Sequence, residues 1–299
     1  MAPSRAAHEL LPSPLADAAI LVMQRDESEL LPVWLAYHAA LVGPAGITVV
    51  DHGSCEPTCL ATLRQAEAQG VRVLRLDAAA VPLAAKGEQI AALIRGLAPA
   101  PALVLPLDAD EFLGLRLADG TYSCEPDALA AWAGQLPPGA AFHSAERLNN
   151  CPWDPHLFWP LPADRSPKLC FTTTAVEGLD LGFHRCDQPS GGPVASHWVL
   201  FHIHNKPHPL LRDHALRKLL PRLPRPTSAC LEAYSGPGDH LLPGLLQGER
   251  RWLRQLRRQP SRYTPAFARR LAQLGLPQPF AREQARLRRE LSLSSTTSP

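Results

Sequence analysis

Asp108 and Asp110, one residue apart, close an apolar run, ALVLPL at 102–107. Side chains at i and i+2 leave a strand on the same face, so both carboxylates can turn toward one point at its end. Burying two negative charges together is costly unless a cation neutralises them. Hard oxygen donors suit Mg2+ or Mn2+, which commonly bridge a few carboxylates to the phosphates of a substrate. Such an ion stabilises charge building up on a departing diphosphate. Alone, an Asp-x-Asp is as readily a solvated turn that merely ends a strand; its placement decides. Further ligand types lie downstream: His202 and His204 share a face if their segment is a strand, with His197, His208 and His214 nearby. These histidines read as surface or core residues, as an independent zinc site, or as the source of one more ligand for the aspartate pair.

The first 110 residues must position the pair. Residues 18–23 (AAILVM) form a continuous apolar run, the mark of a strand covered on both faces. Residues 27–42 switch to helical spacing, with Leu30, Leu31, Trp34, Leu35, His38 and Leu41 on one face. Asp26 and Glu29 read as a capping box, with Pro32 near the first turn. Strands at 47–50, 71–76 and 102–107 then alternate with helices at 57–69 and 86–97. The alternation predicts an α/β fold, a mainly parallel sheet wrapped by helices, whose ligands bind beyond the carboxyl ends of the strands. Asp51 and Asp108 both follow strand ends and so fall on one rim, although Asp51 also reads as a turn residue or helix cap. Pro106 removes a ladder donor from the aspartate-bearing strand and predicts a bulge or locally unpaired edge.

Beyond Phe112 the pattern weakens. We read a loop over 114–139 with one helix at 126–134, a strand at 140–144, and a Pro-, Trp- and Asn-rich loop over 149–167. Strands at 168–174 and 198–203 follow, then a helix at 208–220 and an amphipathic one at 249–258.

The resemblance that these motifs carry is specific. LDADEFL at 107–113, with Lys86-Gly87-Glu88-Gln89 about twenty residues earlier, is similar to the family 2-like glycosyltransferases of GT-A fold. So is RDESELLPVWLAYHAALVGPAGITVVDHGSCEP, which matches at Glu27, Trp34, Leu35, Tyr37, His38, Asp51, Gly53 and Ser54. The match covers 18–113 and resumes at 168–184 and 200–206 (LFHIHNK). Asp26, His52, Glu56 and Pro106 depart from the family pattern. The resemblance implies a GT-A-type, Rossmann-like domain and inverting transfer from a nucleotide diphospho-sugar to a glycan or lipid-linked acceptor, in the assembly of a cell-surface polysaccharide. It places Arg25, Glu27, Asp51, Lys86 and Asp108 against the donor. Asp108, Asp110 and a late histidine would hold Mn2+ or Mg2+; His202 fits that histidine best, with His204 close behind and His184 at another family position. Asp108→Ala is then expected to abolish turnover and leave the fold intact. An inverting enzyme needs a carboxylate base opposite the leaving group; Glu111, Glu146 and Asp187 are candidates, Glu146 being preferred. Trp132, Trp153, Trp159 and Trp198 are core residues by default, with Trp153 and Trp159 the better platforms for an acceptor sugar.

The expected division is a flexible N-terminus (1–15), a GT-A-like domain (16–225) and a helical, Arg-rich extension (226–299) whose residues 291–299 are disordered. Residues 249–290 hold twelve Arg and three Glu, while the rest of the chain carries 18 basic and 25 acidic side chains. So uneven a distribution fits an anionic neighbour such as phospholipid, or else a solvated helical face; few aromatics accompany it, which argues against nucleic acid. Residues 1–15 lack the apolar core of a secretory leader, and no apolar run approaches the roughly 20 residues of a membrane span. Seven cysteines without a CxxC pair fit a reducing compartment. The expectation is a cytoplasmic protein, peripheral at the inner membrane face. Three rivals stay open: a Mg2+ nucleotidyltransferase, disfavoured by the absence of glycine after the first strand; a non-catalytic nucleotide- or glycan-binding domain; and a histidine-based metal hydrolase.

Overall fold

The computed structural model describes residues 13–162, 167–187, 192–223, 225, 227–236 and 238–295. The first half runs β1 (Ala18–Gln24), α1 (Leu31–Val42), β2 (Ile47–Asp51), α2 (Pro57–Ala68), β3 (Arg72–Arg75), α3 (Lys86–Arg95), β4 (Leu103–Leu107), β5 (Glu111–Arg116), β6 (Tyr122–Ser123), α4 (Pro126–Ala133) and β7 (Ala141–His143). The second runs β8 (Glu146–Cys151), β9 (Asp154–Pro162), β10 (Leu169–Phe171), β11 (Val194–Ala195), β12 (Trp198–His202), α5 (His208–Leu219), α6 (Ser228–Glu232), α7 (Leu242–Leu246), α8 (Glu249–Leu256), β13 (Arg262–Tyr263), α9 (Ala266–Gln273) and α10 (Ala281–Ser295).

Seven strands form one sheet in the order β11-β7-β10-β4-β1-β2-β3, and six form a second, β13-β9-β8-β12-β5-β6. In the first sheet β4, β1, β2 and β3 are parallel and β10 runs antiparallel to β4. The fold is α/β, a Rossmann-like, mainly parallel sheet flanked by helices. Its central strands are buried almost throughout and mostly apolar because both faces are covered. Pro106 lies in register with Leu21 of β1, while β10 meets β4 at Val104 alone. The ladder on that side ends before the missing N–H would be needed.

Helix α1 sits between the two sheets and is therefore buried on nearly all sides, more widely than one amphipathic stripe. Trp34 Nε1 donates to the Glu111 carbonyl at 2.8 Å and Tyr37 Oη to the Leu113 carbonyl at 2.6 Å. Two buried side chains thus tie the helix to the strand that follows the aspartates. The expected capping box does not form. Asp26 takes a left-handed φ of 54° and its carboxylate accepts from the amides of Cys55 and Glu56, both at 2.8 Å. The helix starts only at Leu31, where Pro32 fits because first-turn amides have no intrahelical acceptor. Glu56 accepts from Cys59 N at 2.7 Å and caps α2.

His38, fully buried in α1, faces the Trp34 carbonyl through Nδ1 at 3.0 Å and accepts from Leu113 N through Nε2 at 3.4 Å. Burial pushes its imidazole pKa down to about 3. A depressed histidine contributes stability that is complete above the unfolded value near 6.5 and is lost as pH falls toward the folded value. Urea unfolding at pH 7, 6 and 5 should therefore show a loss approaching about 1.4 kcal/mol per pH unit below 6.5. His38→Gln should remove that component of the slope.

Of the two loops expected, 149–167 is instead largely the β8–β9 hairpin of the second sheet, whereas 114–139 holds the expected helix as α4 and gives that sheet only the end of β5 and the two-residue β6. Beyond residue 225 the chain forms helices α6 to α10 and strand β13, and it packs into the rest of the molecule. Strand β13 pairs with β9, and Phe267 and Leu271 of α9 lie in the same core as Tyr37, Phe112 and Phe201. Leu271→Ala should consequently lower global stability by about 2–3 kcal/mol, read as one shifted cooperative urea transition. Helix α10 continues to Ser295 through part of the segment expected to be disordered. Leu287, buried against α5 and α8, anchors it, and each residue added to a nucleated helix needs only its own backbone ordered. Residues 13–15, expected to be flexible, are held by the Leu15 amide on the Leu41 carbonyl at 2.9 Å. Residues 1–12 and 296–299 lie outside the described residues.

Candidate functional site

Strand β4 ends at Leu107, and β5 begins at Glu111. The intervening turn carries the two aspartates. Antiparallel to β5 runs β12, with His202 opposite Glu111, and Ile203 N donates to the Asp110 carbonyl at 2.7 Å. This register brings His202 Nε2 to 3.3 Å from Asp110 Oδ2 and places the His202 and His204 rings 5.0 Å apart. Asp110, His202 and His204 each offer a ligand atom, all within 4.8 Å of one another. His202 Nδ1 meets Asn149 Oδ1 at 2.8 Å. An amide oxygen only accepts, so Nδ1 donates to it and Nε2 is the ring nitrogen turned toward the carboxylate. Nε2 and the carboxylate stand where a shared cation could bridge them.

Asp108 has different partners. Lys86 opens α3 and pairs with Asp108 Oδ1, and Lys168 Nζ lies 2.6 Å from Oδ2 and 3.1 Å from Glu111 Oε2. Glu111 Oε2 also accepts from Asp108 N at 2.9 Å. The Phe183 ring lies under both ammonium groups, at 4.4 and 5.0 Å. Lys86 can come so close because the next residue is Gly87, where a Cβ would stand 1.9 Å from the Leu179 carbonyl oxygen. Burial alone would raise the Asp108 pKa, but Lys168 and Lys86 outweigh it and hold the carboxyl well below the usual range. Asp110 is likewise depressed against burial, chiefly by His202. Lys168 is raised despite its burial, by Asp108 and Glu111. The two aspartates therefore diverge rather than converge: Asp110 joins the histidines, and Asp108 joins the lysines.

Lys206, four residues past the end of β12, adds a third group. Its Nζ lies 2.7 Å from Glu27 Oε2, 3.9 Å from Glu29 and 3.3 Å from His214 Nε2. Burial, then Lys206, lower the His214 pKa to about 4, so this ring is neutral at pH 7. Around the turn, five carboxylates (Glu27, Glu29, Asp108, Asp110, Glu111) face the ammonium groups of Lys86, Lys168 and Lys206, with Lys218 acting on Asp108 and Asp110 and Arg217 on Glu27. The mixed set of one carboxylate and two imidazoles fits a transition ion such as Mn2+ better than Mg2+, which takes oxygen ligands.

Not every candidate reaches this place. Asp51 is 3 % exposed at the end of β2, where Oδ1 accepts from Gln24 Nε2 at 2.9 Å and Ser54 N at 3.1 Å; here it braces the turn. Arg25 is exposed. Glu111 is fully buried beneath the aspartates, as a brace. Glu146 lies three residues before Asn149 on β8, which turns it to the opposite face. There it meets Tyr122 Oη at 2.6 Å and Arg116 Nη1 at 2.9 Å. The structure does not bring Glu146 to the aspartates, and the base role expected for it is not carried forward. His184 Nδ1 contacts the Pro167 carbonyl at 2.7 Å, and Asp187 is an exposed residue bridged to Glu177. Trp132 and Trp198 are core residues. Trp153 and Trp159, expected in a loop, lie in the turn of the β8–β9 hairpin and in β9, and pack edge to face at 5.7 Å.

Comparison with known proteins adds little to this geometry. No family model and no curated protein matches the sequence. Among solved structures, the crystal structure of S. aureus TarS is similar over 32% of this chain and 17% of that chain, at 18% identity and a TM-score of 0.25. So partial a likeness carries no argument about mechanism. The site's own residues must carry it, and two of them, Lys168 and Lys206, were missed as functional residues in the sequence. A lysine entering the short apolar strand KLCF was a legible signal, because a lysine is seldom fully buried without a paired charge. No helix among the described residues is long and apolar enough to cross a membrane.

Proposed function

We propose that this protein is a metal-dependent glycosyltransferase that moves a sugar from a nucleotide diphospho-sugar to a hydroxyl of a glycan or lipid-linked acceptor, with inversion. The observation that carries the reading is the compact group of Asp110, His202 and His204 beside a buried lysine pair, at the carboxyl end of parallel strand β4. Ligands of open α/β sheets bind at that end. The sequence resemblance around LDADEFL supports the same chemistry.

In this reading Asp110, His202 and His204 hold Mn2+, which when bound neutralises the diphosphate of the donor. Asn149 keeps His202 in the tautomer that ligates. Lys86 and Lys168 fix Asp108 in the wall of the donor site, and Glu27, held by Lys206, lines the same rim with Arg25 and Asp51. In the transfer, the acceptor oxygen bonds to the anomeric carbon, the bond to the diphosphate oxygen breaks, and the hydroxyl proton leaves to a base or solvent. We place the protein at the cytoplasmic face of the membrane, with its arginine-rich C-terminal segment toward anionic lipid, in the assembly of a surface polysaccharide.

A screen of nucleotide-sugars for hydrolysis, with and without Mn2+, tests the proposal. Mn2+-dependent release of a nucleoside diphosphate from at least one donor is expected. Nucleotide binding that ignores the metal, with no turnover of any donor, would favour a binding domain and overturn it.

A further inference from the structure

A cavity of about 390 Å3 opens beside the candidate metal group, between the β8–β9 hairpin and the helices that follow α5. It falls in the volume range of small-molecule sites, roughly 300–1,000 Å3. Two of its lining residues belong to the site already described: His204 is one of the grouped ligands, and Asn149 orients His202. An occupant would therefore lie against His204 and Asn149, and neither Lys86 nor Lys168 is among the lining residues.

Its lining is chemically selective. Apart from His204, no ionisable side chain lines it among the described residues. Away from His204, a phosphate or carboxylate would find no charged side chain in the walls, which suit an uncharged ligand. The walls combine the indoles of Trp159 and Trp252 with leucines, and the amides of Gln255 and Gln259 stand exposed on the C-terminal helix side. Trp159 Nε1 is buried without a hydrogen-bond partner among the described residues. Apolar faces ringed by neutral amide donors and acceptors match a pyranose, which has an apolar C–H face and a rim of hydroxyls. A hydrocarbon chain would leave the amides unused.

We infer that this cavity is the acceptor subsite and that it takes an uncharged sugar ring. The inference rests on the transfer reading for its purpose, but its test does not. Ligand-observed NMR on the full chain would use three probes: uncharged methyl pyranosides, methyl glucuronide, and octanol as a plain alkyl chain. An uncharged pyranoside should bind, and Gln255→Ala with Gln259→Ala should weaken it about threefold to tenfold, the loss of one or two neutral hydrogen bonds. Both glutamines are solvent-exposed, so these variants should fold. Leu256→Trp, which fills the cavity, should abolish binding without changing Mn2+ affinity. Pyranoside binding should be measured without added Mn2+, so a failure of the metal reading would not mask a success here. No binding by any uncharged pyranoside, tighter binding of the glucuronide or octanol, or indifference to the glutamine and Leu256 variants would each overturn the inference.

Discussion

Asp110→Ala should lower Mn2+-dependent donor turnover by about 10^3-fold or more, some 4 kcal/mol of lost transition-state stabilisation, while the protein stays folded. Asp110 is the only carboxylate in the group with His202 and His204 among the described residues. Its removal takes away a ligand yet leaves no buried cation unpaired, because both imidazoles can be neutral. The sequence alone pointed to Asp108→Ala for this experiment and expected the fold to survive. The geometry reverses that choice. Asp108 neutralises Lys86 and the fully buried Lys168, so Asp108→Ala confounds loss of function with loss of structure. A companion variant, Asn149→Ala, releases the His202 ring without touching the ion. It should weaken Mn2+ about 10- to 100-fold, the usual cost of losing a group that orients a ligand. Titration of Mn2+ into each variant, followed by the hydrolysis assay, separates the two effects.

Lys168→Met should destabilise the protein by about 3–5 kcal/mol, because it strands Glu111, fully buried, and Asp108 with only one remaining cation. Urea denaturation reads this directly. The sign of the pH dependence is diagnostic. In the wild type the depressed Asp108 carboxyl contributes stability that is complete above its unfolded value near 3.9 and is lost as pH falls below it. In Lys168→Met a stranded carboxylate takes up a proton more readily, so the gap between variant and wild type should narrow between pH 7 and pH 5. Adding Asp108→Asn to Lys168→Met should recover part of the loss, a coupling that independent sites would not show. Equal stability of the single variant and the wild type would mean that the buried ion pair is not formed in solution.

The half of the fold that was legible is the half built from buried parallel strands. Runs such as AAILVM and ITVV have no polar face, and helices alternate with them at short spacing. The second sheet hid for a physical reason. Strand β9 reads DPHLFWPLP, and its prolines speak against a strand. Its outer neighbour, β13, spans only two residues, so most of β9 runs along an edge where lost ladder donors are tolerated. Strand β5 was missed because it follows β4 after a three-residue turn, and its apolar residues read as the end of the aspartate motif.

The site was legible in part for a similar reason. Spacing put Asp108 and Asp110 on one turn, and it put His202 with His204. It could not say that the aspartates would go to different partners, because that depends on a register between β5 and β12 and on a lysine sixty residues downstream of Asp108. Glu146 failed as a base candidate through parity alone: one residue of shift along β8 would have turned it toward Asn149's side.

The claim on which the rest depends is that one divalent ion sits between Asp110 and the two histidines. Anomalous diffraction at the manganese edge, from crystals soaked with MnCl2 and a nucleoside diphosphate, tests it most directly. We expect a single strong peak about 2.0–2.3 Å from an Asp110 oxygen and from a nitrogen of each of His202 and His204, with diphosphate oxygens completing the shell and Asp108 still on its lysines. A nucleotide bound at the rim with no peak between those three side chains, or a peak on Asp108 with the lysines displaced, would contradict the account.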